Sequence, residues 1–286
     1  DEAYGESYTA IADLEDGAYV LLQYVFTNAG FGDGKAACRA LFVPKGKPGI
    51  NAAVRVDRDE WSYDKASKTL AVGKCSLSTA GKKTRFLART DDLTVDLTLA
   101  ARPRIARPPG HRIDVDGDEF YESEVLVPWA RAKAKIQGKG GKSSVSGMGY
   151  MDHSRSNTRL PKVASRWFRF RGFTGGARAL VEIRHSPSGR ATGWWWSEGK
   201  PGPERLDLDG LALKAGAKAV SIRYGGYALE STALLYTYRP AKEWGVLGRM
   251  AKPWIGDPQT RTFRATLTSP DGETVAGILE QAQITK

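Results

Sequence analysis

The sequence predicts an all-β protein of two antiparallel β-domains, each a barrel or sandwich, with very little helix. Three observations carry this expectation. Residues 93–99 place Leu93, Val95, Leu97 and Leu99 on one face and Thr94, Asp96 and Thr98 on the other, the period of two of a half-buried antiparallel strand. Runs of the same kind recur along nearly the whole chain. Between them stand turn dipeptides, Asp16-Gly17, Asp33-Gly34, Asp116-Gly117, Gly140-Gly141, Gly175-Gly176, Ser188-Gly189 and Asp271-Gly272, which suit hairpins rather than βαβ crossovers.

In chain order, strands are expected at 8–12, 18–28, 36–43, 84–89, 93–99 and 120–127, then at 130–136, 164–173, 179–184, 219–224, 227–239, 260–268 and 274–283. The proline-rich stretch 102–109 interrupts any ladder, because proline has no N–H to donate. It reads as a loop or crossover. Residues 241–251, after Pro240, form the one segment with a helical pattern. The strand pattern runs twice, which predicts domains at 1–128 and 129–286.

Composition narrows the function. The chain has 286 residues, 26% charged and 41% hydrophobic, an ordinary globular balance that excludes collagen, coiled coil and disorder. No apolar run approaches the roughly 20 residues that span a bilayer, so a soluble protein is expected. The net charge is +11, and most of the excess lies in residues 144–286, with 21 Lys/Arg against 12 Asp/Glu. Residues 155–178 hold seven basic residues and no acid. Such a run fits nucleic acid, an anionic membrane or a solvated face. Strand alternation sends these side chains to both sheet faces, so no nucleic-acid partner is expected, and peripheral contact with an anionic membrane is the surface role left open.

Cys38 and Cys75 are too few for a disulfide framework or a cysteine zinc site. They either form one bridge, which needs an oxidising compartment and Cα atoms within about 7 Å, or stand as two separate buried thiols. The sequence begins at Asp1. A removed export signal and a periplasmic or secreted location fit that start, and so does a trimmed cytoplasmic chain.

Asp114, Asp116 and Asp118 open like a calcium loop, but Glu119 and Val125 occupy the positions that need Gly and Glu. Gly141-Lys142-Ser143 lacks the leading glycine of a phosphate loop, since Ile136 stands there. His111, His153 and His185 are too scattered for a local metal motif. No metal and no organic cofactor are expected.

The stretch 150–155, Tyr-Met-Asp-His-Ser-Arg, is richest in chemistry. Asp and His are common proton-transfer groups. In a strand Met151, His153 and Arg155 share one face and Tyr150, Asp152 and Ser154 the other, so consecutive residues cannot form a triad. Two readings stand: proton transfer, or an Asp that satisfies backbone amides beside a partly buried His. Aromatics pair on shared faces as Tyr24 with Phe26, Phe168 with Phe170, Trp194 with Trp196 and Tyr236 with Tyr238. They fill cores or wall a lipophilic cavity, and an eight-stranded barrel admits about one small ligand. Their concentration in the second half places the expected cavity there.

Residues 120–155 read FYESEVLVPWARAKAKIQGKGGKSSVSGMGYMDHSR. This resembles the carotenoid 1,2-hydratase (hydroxyneurosporene synthase) and AttH-like superfamily, whose pattern is an aromatic–Ser element, a strand, a glycine hairpin and V-S-G-x-x-[YW]-x-D-H. Residues 5–26, 84–101, 166–184 and 260–281 resemble further family strands in the same order. The resemblance implies two lipocalin-like β-barrel domains with a lipophilic ligand site in or between them. Its members include isoprenoid hydratases, fungal Diels–Alderases and, more distantly, lipid carriers. The family's Asp-His pair falls on Asp152 and His153. Carotenoid hydratases continue with Asn and Trp where this chain has Ser154 and Arg155, so carotenoid hydration itself is not implied.

Two functions follow, with a basic surface binder of anionic membrane or nucleic acid as a third. One is an enzyme for proton-assisted hydration, isomerisation or cyclisation of an isoprenoid, polyketide or fatty molecule. Asp152 or His153 is then the proton donor, and Tyr24, Phe26, Tyr121, Trp129, Tyr150, Trp167, Phe168, Trp194, Trp196 and Tyr236 form the cavity wall. The other is a non-catalytic carrier of a lipid or pigment with the same cavity. The oligomeric state is left open.

Overall fold

The computed structural model describes residues 4–28, 34–139, 141–240 and 257–285, which form two sheets of antiparallel strands. Strand makes up 65% and helix 3%, so the all-β expectation holds. The helix expected at 241–251 lies outside the described residues.

The chain divides into two compact units, Asp1–Ala106 with Glu122–Asn157, and Arg107–Tyr121 with Thr158–Lys286. The expected boundary was at 128/129. That position falls inside one strand, Phe120–Gly138, whose hydrogen bonds belong to the first sheet.

The first unit opens with a meander of β1 (Gly5–Leu14), β2 (Tyr19–Thr27), β3 (Lys35–Val43) and β4 (Ile50–Val56). A 3-10 turn at Arg58–Glu60 leads to a second meander of β5 (Trp61–Asp64), β6 (Thr69–Val72), β7 (Cys75–Ser78), β8 (Thr84–Arg89) and β9 (Leu93–Leu99). After the short β10 (Arg112–Asp114) comes a long hairpin of β11 (Phe120–Gly138) and β12 (Gly141–Ser156). This hairpin joins the meanders, with β12 on β1 and β11 on β9. The sheet is a nearly closed barrel.

Alternation fills its interior. Leu93, Val95, Leu97 and Leu99 all point into the core with Leu22, Phe86, Ala132 and Met151. The hydroxyl of the fully buried Tyr24 lies 2.9 Å from the carbonyl oxygens of both Ser76 and Leu87. One polar atom in the core is thereby satisfied from β7 and β8. Cys38 on β3 and Cys75 on β7 are bridged, with Cα atoms 6.4 Å apart. The reading of two separate thiols is excluded.

The second unit contains α1 (Leu160–Val163) and repeats the wiring. A meander of β13 (Arg166–Gly175), β14 (Ala179–His185), β15 (Ala191–Ser197) and β16 (Glu204–Arg205) comes first. Then follow β17 (Ala212–Ala215), β18 (Val220–Tyr224), β19 (Tyr227–Tyr238), β20 (Asp257–Thr268) and β21 (Thr274–Thr285), the last returning to β13. This half-barrel packs Phe168, Phe170, Ile183, Ile222, Phe263 and Leu279. In both units the final strand pairs with the first, and a glycine sits where they approach most closely. A Cβ on Gly147 would strike the Asp13 carbonyl oxygen, and one on Gly277 that of Arg171.

The basic run 155–178 is largely neutralised in place. Arg155 pairs with Glu122, Lys162 with Glu119 and Asp116, Arg169 with Glu182, Arg171 with Glu280 and Arg178 with Glu198.

Overpacking the seam carries a measurable cost. Gly147→Ala lowers stability by about 1–3 kcal/mol, and an unchanged urea midpoint refutes the close-approach account. Reduction of the bridge, which spans 37 residues, lowers stability by about 4 kcal/mol in the loop-entropy view. Equal midpoints with and without reductant refute that.

Candidate functional site

The first unit holds a cavity of about 530 Å³. Along β1 the inward face runs Tyr8, Ala10, Ala12, and the two alanines pack in the core while Tyr8 lines the cavity. Glu6 and Tyr4 extend that lining toward the chain start. Phe26 comes from β2, Trp61 and Tyr63 from β5, and Leu70 and Leu77 from β6 and β7. Phe26 and Trp61 meet edge to face at 4.8 Å. Lys35, Arg58 and Lys68 supply positive charge to the lining.

Behind Glu6 and Tyr8 lies His153. The β1–β12 register sets Tyr8 directly opposite His153, and cross-strand partners share a face. Their rings stack with centroids 4.4 Å apart and an interplanar angle of 21°. His153 Nε2–H donates to Glu6 Oε1 at 2.8 Å, and Nδ1 lies 3.7 Å from Glu124 Oε2. Glu6 also accepts from the Tyr4 hydroxyl at 2.7 Å and the Tyr8 hydroxyl at 3.1 Å. A histidine thus stands between two carboxylates, one of which faces the cavity.

The surroundings fix the charge on Glu6. The hydrogen bond from His153, helped by those from Tyr4 and Tyr8, holds its carboxyl down at about 2 against the opposing pull of burial. Burial first and Glu6 second push the Tyr4 hydroxyl up to about 12, and the same two causes raise Tyr8. Arg155, on the His153 face, reaches Glu122 Oε2 at 2.9 Å.

The expected Asp-His pair is split by alternation. His153 contacts two cavity-lining residues but does not itself line the cavity, and Asp152 points to the opposite sheet face, across from Thr9. Of the ten aromatics expected in the wall, Phe26 lines this cavity. Tyr24 and Phe168 are sealed in the two cores. Tyr121 and Trp167 pack together at 5.6 Å in a separate cluster with Val163 and Ile284. Tyr150 and Trp194 are buried, and Trp129, Trp196 and Tyr236 are half-buried on their strands. The Trp196 indole N–H donates to the Lys200 carbonyl. The concentration of aromatics in the second half therefore serves other packing than the wall of this cavity. Sequence reasoning missed Tyr4, Glu6, Tyr8, Trp61 and Glu124. The signal present was the aromatic–acid–aromatic alternation of Tyr4, Glu6 and Tyr8 at the entry to β1.

Among the described residues no group of three or more His, Cys, Asp or Glu side chains is placed to hold a metal ion. No family model and no curated protein matches the chain by sequence. Solved structures do match in fold. A putative AttH from Nitrosomonas europaea aligns with a TM-score of 0.67 at 12% identity, over 97% of this chain and 91% of the other. Kievitone hydratase from Nectria haematococca gives 0.61 at 15% identity, over 98% and 89%. CghA with Sch210972 gives 0.65 at 13% identity, over 99% and 88%. The fold implied by the resemblance is therefore the fold observed.

The depressed Glu6 carboxyl links stability to pH. Its hydrogen bonds stabilise the folded state fully above the unfolded carboxyl value, near 4.5, and are lost as pH falls toward about 2. Glu6→Gln is therefore less stable than the parent at neutral pH, with the gap closing between pH 4.5 and 2 in thermal melts. A gap that stays constant across this range contradicts the assignment.

Proposed function

We propose that this protein is an enzyme that hydrates or cyclises a lipophilic small molecule inside the first barrel. The observation that carries the reading is Glu6, a carboxylate on the wall of an aromatic cavity and hydrogen-bonded to His153. The shared fold with kievitone hydratase and with the Diels–Alderase CghA supports the reaction class.

Glu124, His153 and Glu6 form a relay whose last oxygen meets the substrate. In the reactive form His153 is an imidazolium between the two carboxylates, and its Nε2 proton passes by way of Glu6 to an unsaturated carbon or carbonyl oxygen of the substrate, leaving a neutral imidazole and Glu6 still a carboxylate. Positive charge that develops on the substrate is countered by the carboxylate and the π faces of Tyr8, Phe26 and Trp61. Attack by water, or by another double bond of the same molecule, completes the new bond. In hydration the relay takes a proton back from the added water, and in cyclisation from a carbon beside the final cation, so its own protonation is unchanged. The aromatic walls hold a flexible chain near its reactive shape and exclude excess water. Asp152, on the other face, has no part in this chemistry. The buried bridge favours an oxidising compartment, periplasmic or secreted.

The test incubates the protein with prenylated phenols, polyenes and polyketide-type enones in isotopically labelled water. Hydration adds one labelled water, and cyclisation changes retention without changing mass. His153→Gln and Glu6→Gln lose at least about 100-fold in turnover while still binding the substrate. Recovery of a bound lipophile, unaltered by parent and variants alike, establishes the carrier instead.

A further inference from the structure

The cavity wall is charged unevenly. Among the described residues three cations line it, Lys35, Arg58 and Lys68, against the one carboxylate of Glu6, which already accepts three hydrogen bonds. Lys35 is engaged by Asp57 at 3.0 Å. Among the described residues, Arg58 and Lys68 have no ion pair with any carboxylate, Glu6 included.

The fold holds the Arg58 side chain and the backbone of Lys68 in place. The Arg58 guanidinium lies 4.3 Å over the Trp61 ring. Gly34, at φ +65°, leaves room for its stem, since a Cβ there would meet Arg58 Cδ at 2.9 Å. Trp61 is itself fixed by its indole N–H, which donates to the Gly34 carbonyl at 2.7 Å. Lys68 is the one non-glycine with positive φ, 49°, among the described residues. Its carbonyl accepts from the Thr79 N–H at 3.1 Å, which ties the β5–β6 turn to the chain after β7. Backbone in a sparsely populated region persists where its surroundings over-determine it, and such positions gather at ligand sites.

We infer that the molecule bound in this cavity carries an ionised acidic group, a carboxylate, enolate or phenolate, seated on Arg58 and Lys68. This rests on the proposed use of the cavity and adds the chemical class of what enters it. A stacked guanidinium keeps its N–H fork free for an anion. Phe26, Trp61, Leu70 and Leu77 take the apolar body. The negative Glu6 repels the acidic end, so the ligand enters in one orientation, with its uncharged reactive part against the Glu6–His153 pair.

The test compares the fluorescent polyene cis-parinaric acid with its methyl ester, in low and high salt. The acid binds roughly tenfold tighter than the ester, and salt narrows the difference. Arg58→Gln combined with Lys68→Asn, chosen because Asn tolerates left-handed backbone, abolishes the preference and leaves ester binding intact. Equal binding of acid and ester to the parent, or a preference that survives in the double variant, overturns the inference while the cavity reading stands. Binding of neither probe overturns both.

Discussion

Everything in the first unit depends on the antiparallel register of β1 on β12. That register joins residues 147 positions apart, as in the bond from His153 to Glu6. It stacks Tyr8 on His153 and sets Glu6 beside them. A slip of one residue would turn every side chain of one strand to the other face. Asp152 would then enter the barrel, and His153 would lose both Tyr8 and Glu6. Gly147 helps to fix the register, because only a residue without a side chain passes the Asp13 carbonyl there.

The two units solve the same topological problem with different contents. Each runs a meander away from its first strand and returns the final strand to it. In the second, Phe168, Phe170 and Phe263 fill the interior. In the first, small Ala10 and Ala12 and the Cys38–Cys75 bridge occupy the core, and bulk shifts to Tyr8, Phe26 and Trp61 at the cavity. Carboxylates inside a barrel are costly unless fully hydrogen-bonded. Glu6 meets that condition with three donors, and Glu122 with Arg155.

The strands and their faces were legible in the sequence because half-burial writes itself as a period of two, plainest at Leu93 to Leu99. The allegiance of β11 was not, because a long strand shows no sign of which sheet takes its hydrogen bonds. His153 was singled out by its residue type and motif. Its partners were hidden, since alternation tells which residues share a strand's face but not which distant strand lies opposite. The link from Tyr8 to His153 is a fact of pairing, not of spacing. Aromatics follow a related rule. Phe168 and Trp194 stand on the two faces of one sheet, so density along the chain does not become density around one hollow.

The interrupted layout of the first unit has a consequence for its biosynthesis. β2 covers one edge of β1 early, but the partner for the other edge, β12, leaves the ribosome only after 147 further residues separate Glu6 from His153. At translation speeds of 5–20 residues per second, that edge waits roughly 7–30 s with its N–H and C=O groups open. An open edge of that lifetime is a docking strip for other nascent chains. Holdase chaperones that shield extended segments are therefore the helpers this architecture calls for.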